Sequence, residues 1–204
     1  MSSSSDGIQA AVPEEPESGE AAQVQSADRS SVEELCQAVA ERFGLELRTF
    51  RGEITLIVPP EQIYQVALTL RDEFQFNFLR SLTASDYWPE LEPRFHIVYQ
   101  LYSHKHNQRM CLRVPVETAD PATLPALPTV ETVWSVANWH EREVFDMFGV
   151  RFEGHSDMRR ILMPADWEGY PLRKDYPLGY EEPQFTFNFE DIKLRKHRGS
   201  YEEA

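Results

Sequence analysis

Cysteine is scarce: Cys36 and Cys111 are the two among 204 residues, and they form no Cys-x-x-Cys pair. An iron–sulfur cluster normally takes four thiolates, so this chain holds none by itself. Two isolated thiols suit a reducing cytoplasm better than a disulfide framework. Basic charge is also short, since 20 Lys and Arg against 34 Asp and Glu leave a net charge of −14. Binding a polyphosphate requires a basic face that displaces counterions, so nucleic acid is excluded as a partner. The same sign disfavours adhesion to an anionic bilayer. The nine glycines are scattered and make no phosphate-binding loop. No segment approaches the ~18 apolar residues of a membrane span, and the N-terminus lacks an apolar signal core. Membrane association is therefore expected only through partners.

What is present divides into three parts. Residues 1–30 read as a disordered acidic tail, with Pro13-Glu14-Glu15-Pro16-Glu17 and little that could join a core. Up to Arg29 the tail holds six acids and one base, which is −5 and leaves −9 for the remainder. Residues 31–148 read as an α+β domain. Ser31 and Glu34 have capping-box spacing, and Val32, Leu35, Cys36, Val39, Ala40 and Phe43 follow a helical stripe ending at Gly44. Alternating strands are expected over 45–50 and 53–58, joined at Arg51-Gly52. Pro59-Pro60 ends the second strand, and Pro60 suits the first turn of a helix to about Glu73. Strands near 78–83, 95–102 and 110–116 follow. The order α-β-β-α-β-β-β implies a two-layer domain with a mixed sheet whose helices cover one face. A proline-rich connection leads to a helix from about Val130, and residues 149–204 read as a long extended segment that binds a partner.

The run from Asn138 to Gly179 carries the most chemistry. Its helix, Asn138 to Phe148, places Trp134, Ala137, Val144, Phe145 and Phe148 on one stripe at ~100° per residue, with Glu141 in the centre. A carboxylate there costs several kcal/mol unless paired or protonated. The expected partner is Arg159 or Arg160. Residues 149–178 hold five acids and five bases, so this stretch is neutral inside an acidic chain. It also carries Phe152, Trp167 and Tyr170 among Gly154, Pro164, Gly169 and Pro171. It either packs back on its domain or lies along another protein, and arginine with aromatic enrichment is typical of interface cores.

Other chemistries fail on spacing. His140-Glu141 lacks the second histidine of a zinc-protease helix, because residue 144 is valine. His104 and His106 share a hairpin turn with no third ligand nearby, which reads as an exposed polar turn. Glu143 and Asp146 point away from Glu141 by helical angle, so the three do not flank one reacting bond. The aromatic stripe reads as packing in preference to a quinone-lining group.

The spacing itself resembles a known family. Glu141-Arg142-Glu143, Asp146, Met147-Phe148, His155, Arg159 and Ile161-Leu162 are similar to the signature of the 30 kDa subunit (the C subunit) of respiratory complex I, also called NDH-1, the NADH:quinone oxidoreductase. The continuation from Met163 to Gly179, with Arg173-Lys174-Asp175, resembles it too, and the likeness covers roughly residues 31–183. The resemblance implies a non-catalytic, cofactor-free subunit of the peripheral arm of a proton-translocating complex. That complex as a whole uses FMN, iron–sulfur clusters, NADH and quinone. The implied partners are the other complex I subunits, chiefly the large quinone-site subunit and the adjacent iron–sulfur subunits. The implied place is the cytoplasmic side of a bacterial inner membrane. Expected structural and interface residues are Glu141, Arg142, Glu143, Asp146, His155, Arg159, Arg160, Arg173, Lys174 and Asp175, with no catalytic, cofactor or metal residue. Two rivals stand beside this reading. One is the equivalent subunit of a ferredoxin-accepting quinone reductase or membrane-bound hydrogenase. The other is a free-standing soluble hydrolase using Glu141 and His155.

Overall fold

Two-residue alternation and short turns build the sheet of this protein. Residues 33–90, 92–117 and 123–176 are described in a computed structural model. The expected tail over 1–30 and everything beyond residue 176 lie outside the described residues. A helix, α1, covers residues 33–43 and buries Cys36 and Val39. Strands β1 (Glu46–Phe50) and β2 (Glu53–Ile57) pair antiparallel through Arg51 and Gly52. Both turn residues have positive φ, 52° and 78°. That is the combination a tight two-residue hairpin demands, because its twist matches that of the strands.

A 3₁₀ turn over Pro60–Gln62 leads into α2 (Ile63–Asp72), which buries Ile63, Val66, Ala67 and Leu70. Three nine-residue strands follow as a meander: β3 (Phe78–Asp86), β4 (Phe95–Ser103) and β5 (Gln108–Val116). The spatial order is β1-β2-β5-β4-β3, with β2 and β5 parallel and the other pairs antiparallel. The expected mixed sheet and α+β class are therefore observed. One face of β4 and β5, carrying Ile97, Tyr99, Leu101, Met110, Leu112 and Val114, joins the α1 and α2 stripes in one core. The other face, with Gln100, Cys111 and Arg113, is more open.

The helix expected from Val130 begins later. Residues 129–134 form turns in which Trp134 Nε1 donates to the Phe76 carbonyl at 3.1 Å, and Arg71 donates to the Val133 carbonyl at 2.9 Å. Helix α3 (Ala137–Phe148) then runs beside β3 and ends at Gly149 in the left-handed conformation, φ 70°. A short strand before it, β6 (Ala126–Pro128), pairs in parallel with β7 (Arg151–Glu153) after it. Strand β7 was not anticipated: three residues are too few to show an alternation, and their pairing partner lies 25 residues upstream, Leu127 opposite Phe152.

Candidate functional site

Helix α3 carries two carboxylates without solvent exposure, and they serve different neighbours. Glu141 accepts from the Thr129 hydroxyl at 2.5 Å and from the Val130 amide at 2.8 Å. The expected arginine partner is therefore corrected: Arg159 is exposed and pairs with Asp157 at 2.6 Å, while Arg160 pairs with Asp146 at 2.7 Å. Helical geometry explains the difference. Glu141 faces the turn before the helix, whereas both arginines lie in the ribbon that follows it. Burial pushes the Glu141 carboxyl up to about 7, and its two hydrogen bonds oppose that shift only in part.

His155 Nε2 lies 3.9 Å from Glu141 and 3.6 Å from Glu131, with its side chain fully buried. Its Nδ1 accepts from the Asp157 amide at 3.0 Å, so the proton sits on Nε2, which donates to the Asn138 carbonyl at 3.1 Å. The ring thus staples the ribbon to the start of α3. Glu141 and His155 do come together, as the hydrolase alternative required. Neither side chain is exposed, however, so no substrate oxygen reaches them.

Asp146 organises the ribbon itself. One of its oxygens accepts from three consecutive amides, Ile161 at 3.0 Å, Leu162 at 2.7 Å and Met163 at 2.8 Å. The other meets Arg160, whose guanidinium also donates to the carbonyls of Trp167 and Gly169. Desolvation raises the Asp146 pKa, but the amides and the guanidinium outweigh it and hold the carboxyl below the usual range. Arg142 donates to the carbonyls of Arg159 and Arg160 and lies over the Trp139 ring. Glu143 is exposed, with only His140 at 4.0 Å.

The ribbon then turns back across the sheet end. Arg173 Nε donates to the Phe148 carbonyl at 2.5 Å, and its guanidinium lies over Tyr170 and Phe95. Burial and the nearby Arg94 charge lower the Arg173 pKa. The Leu172 amide donates to the Met147 carbonyl at 3.0 Å. Lys174 contributes its backbone amide to Asp86 at 2.9 Å, and Asp175 pairs with Arg94 at 2.8 Å. Asp86 and Arg94 form a buried bidentate pair at 2.8 and 2.9 Å. Sequence reading missed this pair and Thr129. Opposite charges at adjoining ends of two alternating strands were the available signal for Asp86 and Arg94.

These contacts favour one of the two arrangements that the sequence leaves open, a ribbon packed back on its domain. The ribbon over 149–176 does not depend on a neighbour to meet its polar groups, because Asp146, Arg160, Arg173 and Asp86 meet them within the chain. Its apolar side chains are another matter: Leu162 is 61% exposed and Leu172 54%, alongside Trp139 of α3 at 60%. The cysteines do not assemble a metal centre. Cys36 is buried in the core and Cys111 lies on the opposite, open face, and among the described residues no three His, Cys, Asp or Glu side chains converge on one point.

This arrangement of α3 and ribbon falls inside the segment, residues 56–182, that matches the family described as the respiratory-chain NADH dehydrogenase 30 Kd subunit. The chain belongs to that family. A Roseiflexus sp. (strain RS-1) protein, named as the C subunit of NADH-quinone oxidoreductase, is 47% identical over 171 residues, 83% of this chain and 95% of that one. The protein of the same name from Geobacter sulfurreducens is 47% identical over 134 residues, 66% and 80% of the two chains. Within this segment Asp146 and His155, both at positions of the signature spacing, tie ribbon to helix, and Arg160 adds to that tie. A chain from the structure of the membrane-bound sulfane sulfur reductase, an archaeal respiratory membrane complex, shares the fold. It superposes with a TM-score of 0.61 at 24% identity, over 85% of this chain and 96% of that one. Among the described residues, no helix is long and apolar enough to cross a membrane.

Proposed function

We propose that this chain is a cofactor-free brace in the peripheral arm of a proton-translocating NADH:quinone oxidoreductase. Its ribbon and α3 pack on the large quinone-site subunit, beside the iron–sulfur subunits, on the cytoplasmic side of a bacterial membrane. FMN, the clusters, NADH and quinone belong to those neighbours, and this chain carries no catalytic residue. The observation that supports the reading is the division of labour in the ribbon. Its polar groups are met internally, so it is stiff, while Trp139, Leu162, Trp167 and Leu172 stay exposed. Large apolar side chains held outward on a rigid frame are the anchors that central interface positions use. Electron transfer depends on fixed cofactor spacing, so a rigid neighbour without a redox centre affects it through position. The domain divides functionally at residue 148 into a sheet that gives stiffness and a segment that makes the contact.

The test is a Leu162→Asp/Leu172→Asp variant expressed in place of the native chain. The expected result is a folded chain with native circular dichroism that no longer co-purifies with the quinone-site and iron–sulfur subunits. NADH:quinone activity is expected to fall in proportion to lost assembly. Full assembly with lost turnover would refute a purely bracing role. Oxidation of NADH by the purified native complex separates this reading from the ferredoxin-accepting or hydrogenase alternative.

A further inference from the structure

One end of the sheet gathers three arginines, with Glu33 and Glu53 beside them, in an otherwise acidic protein. The β1–β2 turn, the start of β5 and an irregularity in β3 meet there around a groove of about 510 Å³. Arg51 sits in the turn, at a positive φ of 52°. Arg80 is the extra residue where the β3–β4 register shifts between Leu79 and Ser81. An inserted residue re-aims its side chain, which is a common use of such irregularities. Arg109 follows the β4–β5 turn on an exposed position of β5. All three line the groove with Glu33 and Glu53, and among the described residues none of the three is within ion-pair distance of a carboxylate, which leaves a net positive lining. Every ribbon arginine named above, by contrast, has an acid or a carbonyl within hydrogen-bonding distance. Gln100 and Ser81 add uncharged hydrogen-bonding groups to the lining.

The groove also has a neighbour in the chain itself. Glu33, the first described residue, is part of its wall. The 32 residues that precede it therefore enter the fold at this point. They hold six acids against one base up to Arg29, with Glu14, Glu15 and Glu17 packed within four positions. Glu17 stands sixteen residues before Glu33, and an extended chain covers ~3.3 Å per residue, so its reach exceeds ~50 Å. Tethering turns docking into an intramolecular event with an effective concentration in the ~mM range, so single ion pairs of modest strength suffice in combination.

We propose that the arginine groove is the docking site of this chain's own acidic N-terminal segment, with Glu14, Glu15 and Glu17 meeting Arg51, Arg80 and Arg109. Carboxylates accept bidentate hydrogen bonds from guanidinium groups, which gives the contact geometry as well as charge. Groove and ribbon thus have separate occupants: the groove holds the chain's own terminus, whereas the exposed apolar anchors serve a neighbour.

A photoreactive benzoylphenylalanine in place of Ser18, in the full chain within its assembled complex, tests this. Mass-spectrometric mapping is expected to find crosslinks to the groove peptides around residues 51–54, 80–81 and 107–111. The R80E/R109E double variant, or 0.5 M salt, is expected to lower that yield at least fivefold. Adding E14R, E15R and E17R to the double variant is expected to restore it, which also shows that the charge-reversed chain is folded. Crosslinks to another subunit or to another face would overturn the proposal. So would a groove yield indifferent to charge reversal.

Discussion

Asp146 stands where a helix least tolerates it, and its removal makes a sharp test. The last turn of a helix bears partial negative charge, which disfavours a carboxylate there. Asp146 occupies that turn and is fully buried, so the three ribbon amides and Arg160 must offset both effects. Asp146→Ala leaves those amides without an acceptor and Arg160 without its anion. A buried donor left unsatisfied costs about 1–3 kcal/mol, and breaking a buried ion pair about 3–5 kcal/mol. Two features reduce the sum. Ile161 and Met163 are half-buried and Leu162 exposed, so water reaches their amides once the ribbon loosens. Arg160 also keeps the carbonyls of Trp167 and Gly169. The net is about 3–4 kcal/mol, or a 10²–10³-fold larger opening constant for the ribbon.

Amide hydrogen exchange of the full chain reads this directly. The amides of Ile161, Leu162 and Met163 are expected to exchange ~10²–10³-fold faster, with β4 and β5 unchanged. Asp146→Asn keeps an oxygen for the amides but turns an amino group toward Arg160, and falls between. Exchange at 161–163 accelerated less than tenfold, or an equal loss of protection in β4 and β5, would refute the reasoning. The pH dependence has a definite sign. The folded pKa is depressed, so the stabilisation is complete above the ordinary value of ~3.9 and fades as pH falls through the lower folded value.

Two further outcomes are expected. Glu141 has the opposite sign: its folded pKa, about 7, lies above the ordinary ~4.3, so its contribution is fully present below that value and is lost as pH rises to about 7. Glu141→Gln is expected to remove up to ~3 kcal/mol of this pH dependence, read as the difference between wild-type and variant urea unfolding from pH 5 to 8; an identical slope in both proteins would sink the assignment. Gly149→Ala puts a Cβ 2.5 Å from the Tyr170 ring and 2.6 Å from Arg173, at a φ of 70°. It is expected to lower the thermal midpoint by ~3–8 °C, whereas Gly44→Ala, at a φ of 65° with open space, bears the backbone strain alone and loses less.

The legible parts of this protein were those where one residue type answers to its immediate neighbours. Alternation in β4 and β5, the Arg51-Gly52 hairpin and the helix stop at Gly149 rest on periods of two or on single φ requirements, and all are observed. Glu141 was legible as an anomaly, a charge on an apolar stripe, but its partners were not. Periodicity says that a buried carboxylate needs company without saying which distant group provides it. Thr129 carries no charge and precedes the helix by a turn, so nothing local marked it out. Asp146 pointed away from Glu141 as helical angle requires, yet it faces the ribbon and is buried, which angle within one helix does not reveal.

By itself the sequence determined the class of fold, the family and the location of the chemistry, because strand and helix periods, turn residues and signature spacing are properties of short stretches. Only the tertiary structure decided that Arg160 serves Asp146, that Arg94 ties β3 to Asp175, and that the ribbon returns to its own domain with Phe152 buried and Leu162, Trp167 and Leu172 outward. Those choices depend on which groups meet across 14 to 88 residues of chain. Pairing at that range is settled by satisfying every buried donor and acceptor at once, a condition that no local window contains.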